Sequence, residues 1–142
     1  MHAEKMLGPA GLLRRLAAAV YDGLLVIGVL MLVTLLLVIA GGGEAVPAGK
    51  PSYQASVLLV MFLFFAGFWT RGGQTLGMRA WRLRLESRDG QPVSWMQALK
   101  RFAAAFLAWL PFGLGMLWIL VDPQGLSWQD RLSDTRVVLL AK

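Results

Sequence analysis

Apolar and polar positions come in blocks along this chain, and three apolar blocks are long. Gly23 to Ala40 is eighteen residues without a charge, and from Leu16 the run is twenty-five residues with Asp22 as its only charged member. At 1.5 Å per residue, about twenty helical residues cross a hydrocarbon core of roughly 30 Å. The spacing therefore predicts a transmembrane helix over about 16–40. It is too long for a signal peptide, and no cleavage pattern leading into a soluble domain follows it. Tyr53 to Thr70 is a second uncharged run of eighteen. It predicts a helix over about 53–70, with Tyr53 and Trp69 suited to the interfacial aromatic belts. Residues 41–51, rich in glycine and proline, form the loop between them.

The third run, Phe102 to Val121, is twenty uncharged residues interrupted midway by Pro111, Gly113 and Gly115. Proline removes a helical hydrogen bond and clashes with the preceding turn, so this segment, about 95–121, either spans or turns back as two half-helices. Ahead of it, Trp81 to Leu85 alternates apolar and basic residues at a strand period, Asp89-Gly90 signals a turn, and Ser94 is a candidate N-cap. The tail, 122–142, ends in strand-like Arg136 to Leu140, a candidate partner for Trp81 to Leu85. Met61, Met78, Met96 and Met116 are candidate gap-fillers, and Gly67 and Gly113-x-Gly115 candidate points of close helix contact or bending. The fold expected is an all-α membrane protein: two transmembrane helices plus a third broken, re-entrant or spanning helical segment, with a short cytoplasmic β element in the segment 71–94. All 142 residues form a single domain.

Charge then orients this hairpin. Lys5, Arg14 and Arg15 precede the first run, and seven bases lie from Arg71 to Arg101, whereas the intervening loop has only Lys50. Short basic flanks face the cytoplasm, so the N-terminus and the middle segment are expected there, in the inner membrane. If the third run spans, Arg131, Arg136 and Lys142 join Lys50 outside. If it re-enters, only Lys50 is outside, and this reading is favoured. The net charge of +6 follows membrane topology rather than nucleic-acid binding, because the bases avoid the long runs instead of lining a soluble face.

Composition narrows the chemistry. Hydrophobic residues make up 57% of the chain and there is no cysteine, which excludes disulfides and thiolate metal sites. The lone histidine, His2, cannot build a multi-histidine site or a serine–histidine–aspartate triad. Gly72 to Gly77 lacks the lysine and preceding strand of a phosphate loop. The expectation is a protein that is not an enzyme, with no catalytic, cofactor-binding or metal-ligating residues and no cofactor.

One residue resists the topology argument. Asp22 sits seven residues after Arg15, on the same helix face but about 10 Å further along the axis, too far for a local ion pair. Either it rests at the lipid interface, or it faces the protein interior with a partner such as Arg101 or Arg15 of a neighbouring subunit. A carboxylate within a span defaults to a functional hypothesis.

Four ordered stretches carry a resemblance. Arg15 to Asp22, Gly73-Gln74-Thr75-Leu76-Gly77-Met78-Arg79, Ala98-Leu99-Lys100-Arg101 and Trp128 to Thr135 together resemble the RDD family of small bacterial membrane proteins. The likeness runs from about Leu12 to Leu140. The arginine and two aspartates that name the family fall on Arg15, Asp22 and Asp130, with Arg101, Gln74, Thr75, Gly77, Arg131 and Thr135 in support. Relatives usually carry a histidine before the second aspartate, where this chain has Gln129. The resemblance implies an integral membrane protein, with transport, including cation–proton antiport, suggested for some members.

Two functions follow as expectations. One is transport of a small ligand or cation through a membrane-embedded Arg/Asp charge network. Two spans and a re-entrant piece cannot enclose a pathway alone, so this needs a homo-oligomer or a larger membrane complex. The other is a non-catalytic adaptor or structural module, whose charge network locks the helices while its basic side binds anionic lipid of the cytoplasmic leaflet or a partner.

Overall fold

A computed structural model describes residues 6–110 and 113–141. Pro111, His2, Lys5 and Lys142 lie outside the described residues. The chain is mostly helical with one small sheet, in the order β1 (Met6–Pro9), α1 (Leu12–Ala40), α2 (Pro51–Thr70), α3 (Leu76–Ala80), β2 (Leu83–Ser87), α4 (Trp95–Trp109), α5 (Leu114–Leu117), α6 (Trp128–Ser133) and β3 (Thr135–Leu140). A 3-10 turn, Trp118–Leu120, extends α5.

α1 and α2 are long and apolar enough to cross a membrane. α1 starts at Leu12, four residues before the expected limit, because Arg14 and Arg15 both find partners within the fold. Its buried residues, Arg15, Ala18, Asp22 and Val26, recur every three or four positions and form one stripe. The rest of the helix exposes apolar side chains such as Leu24, Met31 and Ile39. α2 opens with Pro51 at its first position, where the missing N–H costs nothing. The hydroxyls of Thr34 and Tyr53 meet at 2.8 Å and set the register of the two helices. Counted from that contact at 1.5 Å per residue, Trp69 on α2 stands about level with Ala18 on α1. Arg15 therefore lies just past the end of α2 and Asp22 just within it.

Three segments distant in sequence build the sheet, in the order β1-β3-β2, all antiparallel. The expected pairing of the middle segment with the tail is present as Leu83↔Leu139 through Ser87↔Thr135. Leu83 and Leu85 point into the core, as their alternation requires, but the strand begins two residues later than Trp81. Arg82 takes a left-handed φ of 58° at the reversal between α3 and β2, which ends the pairing there. The outer edge of β2 is covered by the segment before α3: the Leu85 N–H donates to the Gly73 carbonyl at 2.7 Å, and the Gln74 amide donates to the Leu83 carbonyl at 2.7 Å. A Cβ on Gly73 would collide with the Leu85 carbonyl, so only glycine fits. The third strand, β1, has no strand signature in Met6-Leu7-Gly8-Pro9.

Ser94 caps α4 in a full capping box with Gln97, and Asp89-Gly90 turns as expected, with Gly90 at φ 86°. Past α4 the axis bends by 101° into α5 and its 3-10 turn. Gly115 permits this return, since a Cβ there would lie 2.5 Å from the Ala108 Cα. Gly67, expected at a close contact, faces open space instead. Of the candidate gap-fillers, Met78 and Met116 are buried, while Met96 is exposed. The core joins both layers, with Ala18 and Ala66 from the long helices, Met78, Leu83, Leu85 and Val137 from the sheet side, and Ala98 from α4.

Candidate functional site

Two buried carboxylates anchor the sheet side to the helices. The first is Asp130, from α6. Ser127 caps that helix and Asp130, three residues on, reaches back to the Ser127 N–H, so a capping box fixes the carboxylate before any arginine arrives. Arg15 from α1 then grips it with both terminal nitrogens, Nη1 at 2.9 Å and Nη2 at 3.1 Å. Arg101 from α4 donates Nη1 at 2.5 Å. Each oxygen of Asp130 thus accepts two donors, which exhausts the capacity of a carboxylate.

The surrounding groups complete the cluster. Arg15 also reaches the Ser127 hydroxyl at 3.2 Å, and Arg101 the Thr135 hydroxyl at 3.0 Å. Thr135 in turn exchanges a hydrogen bond with Ser133 at 2.7 Å. Two cations against one anion leave a positive excess, and the Trp69 ring lies 5.4 Å from the Arg101 guanidinium carbon, where its face can take up part of it. Asp130 is fully buried, Arg15 5% exposed and Arg101 7%. Burial raises the Asp130 carboxyl, but the Arg101 and Arg15 charges outweigh it and hold the group down at about 2. It is an anion at any physiological pH.

Asp22 is held differently. One oxygen accepts the Thr75 hydroxyl at 2.5 Å and the other the Gly77 N–H at 2.8 Å. The Thr75 oxygen also accepts from the Met78 N–H as the cap of α3, which leaves its single proton for Asp22. Asp22 is 4% exposed, so the reading of a carboxylate resting wet at the interface is corrected: protein covers it. Arg101 as its partner is corrected too, since that guanidinium turns to Asp130. Among the described residues no cation reaches Asp22, because the loop ahead of α3 fills the space on its side of α1. A Cβ on Gly77 would collide with the Ala18 carbonyl and the Asp22 carboxylate.

The single charge network expected of Arg15, Asp22, Arg101 and Asp130 is therefore two clusters about two helical turns apart. Thr135 joins the Asp130 cluster; Thr75 and Gly77 join the Asp22 cluster; Gln74 serves the β2 edge. Arg131 joins neither, since its guanidinium turns to Asp122, with Nε at 2.6 Å, and holds that carboxyl at about 2. Sequence reasoning missed Ser127 and Ser133, and gave Trp69 to the lipid interface alone. The Ser127-x-x-Asp130 spacing is the signal that could have found the cap. Gln129 is buried with its side-chain oxygen unbonded among the described residues. Among the described residues no group of acidic or histidine side chains is arranged to hold a metal ion.

No curated protein and no solved structure matches the chain. The RDD family model matches residues 9–134, a span that takes in the Asp22 cluster, the Asp130 cluster apart from Thr135, and every element from α1 to α6. The chain belongs to the RDD family, whose members are membrane proteins.

Proposed function

We propose that this protein is a non-catalytic, multi-pass module of the bacterial inner membrane. Its charged residues lock a cytoplasmic platform onto two spanning helices, and that platform is the surface offered to a partner or to anionic lipid. One observation carries the reading. Asp130 draws together Arg15, at the head of the first apolar helix, Arg101, in the third helical segment, and the C-terminal tail, with every hydrogen-bonding position filled. A fully satisfied cluster without a free coordination position suits a clamp better than a binding site. Buried ion clusters of this kind can fix geometry more than they stabilise it.

The same contacts support a topology. The third segment, 95–121, is flanked by residues that bond one another: Arg88, before it, donates to Gln124, after it, at 3.0 Å, and β2 pairs with β3. A segment whose two ends share one sheet enters and leaves on one side, so it re-enters rather than spans, and both termini are cytoplasmic. The chain's lack of cysteine makes the test direct. Leu132→Cys, on the exposed side of α6, is expected to resist a membrane-impermeant maleimide in intact cells and to react after lysis. Ala45→Cys, in the loop between α1 and α2, is expected to react in both. Labelling of Leu132→Cys from outside overturns the topology.

Transport is the second reading, and Asp22 favours it: a buried carboxylate within an apolar helix, without a cation among the described residues, can exchange a proton for a cation. It requires assembly with further copies or another protein. Proteoliposome flux through Asp22→Asn decides it, since flux equal to the native chain removes this carboxylate from any transport mechanism.

A further inference from the structure

Among the described residues, some of this chain's arginines meet a carboxylate and others do not. Arg15, Arg88, Arg101, Arg131 and Arg136 each meet a carboxylate. Arg14, Arg79 and Arg82 meet none among the described residues, and they gather around one turn. Arg14, from the first turns of α1, donates to the Trp81 carbonyl at 3.3 Å. The Arg82 N–H donates to the Arg79 carbonyl at 3.3 Å, closing the end of α3. Arg82 itself holds a left-handed backbone, φ 58°, which non-glycine residues adopt only under strain.

Apolar groups lie exposed beside these cations. Trp81 is 40% exposed, Leu13 83% and Leu76 39%. On α3, Leu76 and Arg79 share the outward face at a spacing of three, while Gly77 and Met78 turn inward against α1. The patch sits where α1 emerges past the end of α2, one to two turns from Asp22. An exposed tryptophan with arginines around it, at the end of an apolar helix, has the chemistry of a headgroup-level surface: the ring and leucines meet acyl chain and glycerol, and the guanidiniums meet phosphate. Guanidinium forks bind a phosphodiester in bidentate fashion, which a diffuse positive field does not.

We propose that Arg14, Arg79 and Arg82, arranged around Trp81, form a binding site for the phosphodiester headgroup of an anionic glycerophospholipid in the cytoplasmic leaflet. The inference rests on the membrane reading above and deepens it, by assigning the lipid contact to one turn rather than to the basic side as a whole. It also gives the strained Arg82 a use, since the reversal holds that residue beside Arg79 and the carbonyl that Arg14 reaches.

The test uses the full chain, purified and reconstituted in nanodiscs of phosphatidylcholine with a minor share of phosphatidylglycerol. Lipid retained on the protein is counted by native mass spectrometry. The native chain is expected to retain phosphatidylglycerol in preference. Arg79→Gln combined with Arg82→Asn, a neutral residue that tolerates the left-handed backbone, is expected to lower that preference about fivefold for each arginine removed, the equivalent of about 1 kcal/mol per basic residue near the surface. Arg71→Gln combined with Lys100→Gln, bases outside the turn, is expected to change it less than twofold. Arg14→Lys keeps a charge near Trp81 and is expected to have an intermediate effect.

An unchanged preference in the Arg79/Arg82 variant overturns the site. An equal loss in both double variants overturns it as well, because a diffuse field then suffices. Displacement of the lipid by millimolar inorganic phosphate would make free phosphate the ligand and overturn the lipid assignment. Melting temperature is measured on every variant, and the Arg79 and Arg82 side chains bond to neither buried cluster, so unfolding does not mask the result. The cysteine labelling of Leu132 is read separately: outside labelling with lipid preference intact removes the topology and keeps the site.

Discussion

Asp22 and Asp130 are both buried and both pin sheet-side segments to α1, yet opposite chemistry holds them. Asp130 takes four donors, three from guanidiniums; Asp22 takes two, a hydroxyl and a backbone N–H. Removing a charge partner from a buried ionic cluster strands the remaining charges, whereas removing a carboxylate from neutral donors strands only polar groups. The two sites should therefore differ in how much the fold depends on them, and graded substitutions can break that expectation.

The largest effect is expected at Asp130. Asp130→Asn leaves the Arg15 and Arg101 guanidiniums facing each other, both more than nine-tenths buried, without an anion between them. Breaking a buried ion pair by removing one partner costs about 3–5 kcal/mol. Membrane-fraction abundance should fall several-fold and the thermal transition of the detergent-purified chain should weaken or vanish. Normal abundance with an unchanged transition would refute the clamp. Arg101→Leu should cost less, about 2 kcal/mol, because the bidentate Arg15–Asp130 pair survives and the charge excess disappears.

At the Asp22 site a smaller ordering is expected. Gly77→Ala forces a methyl into the Ala18 carbonyl and the Asp22 carboxylate, and overpacking of this kind costs about 1–3 kcal/mol. Asp22→Asn keeps an acceptor for Gly77 but presents its amide to the Thr75 hydroxyl, whose one proton no longer has an acceptor, at about 1 kcal/mol. Both should speed hydrogen exchange in 74–80 before they change the global melt. If Asp22→Asn instead destabilises as much as Asp130→Asn, the two sites are not different in kind.

The difference between the sites also explains what the sequence revealed. The two apolar helices were legible because burial in lipid needs only length and hydropathy, and the β2–β3 pairing because Leu83 and Leu85 alternate with polar residues. β1 was not legible: Gly8 and Pro9 carry no strand preference, and only the open edge of β3 recruits them. Asp130 with Arg15 and Arg101 could be anticipated as a set of opposite charges. For Asp22 an interfacial and an interior position both stayed open, and its partners were missed, since a search for cations overlooks a threonine hydroxyl and a glycine N–H fifty-odd residues away. The pairing depends on α3 closing against Ala18, a packing event that leaves only the small residue at 77 as its trace.

The smallest effect is the one expected between pH 8 and 5, and it separates the clamp from a proton-exchanging site. Asp130 sits at about 2 in the folded chain, below the roughly 3.9 of an unfolded aspartate, so the folded state binds fewer protons. Its stabilising contribution is complete above about pH 4 and is lost as pH falls towards 2. Between pH 8 and 5 the melting temperature should not respond to this group. Asp122, held at about 2 by the Arg131 hydrogen bond, acts in the same direction over the same window. Asp122→Asn is therefore the needed comparison, and it should retain most of the acid-limb loss if the buried cluster dominates. A melting temperature that rises between pH 7 and 5 in the native chain, but not in Asp22→Asn, would point to titration at Asp22, because a carboxyl that takes up its proton only in the folded state stabilises the fold as pH falls. That outcome would move the functional weight from the clamp to the other carboxylate.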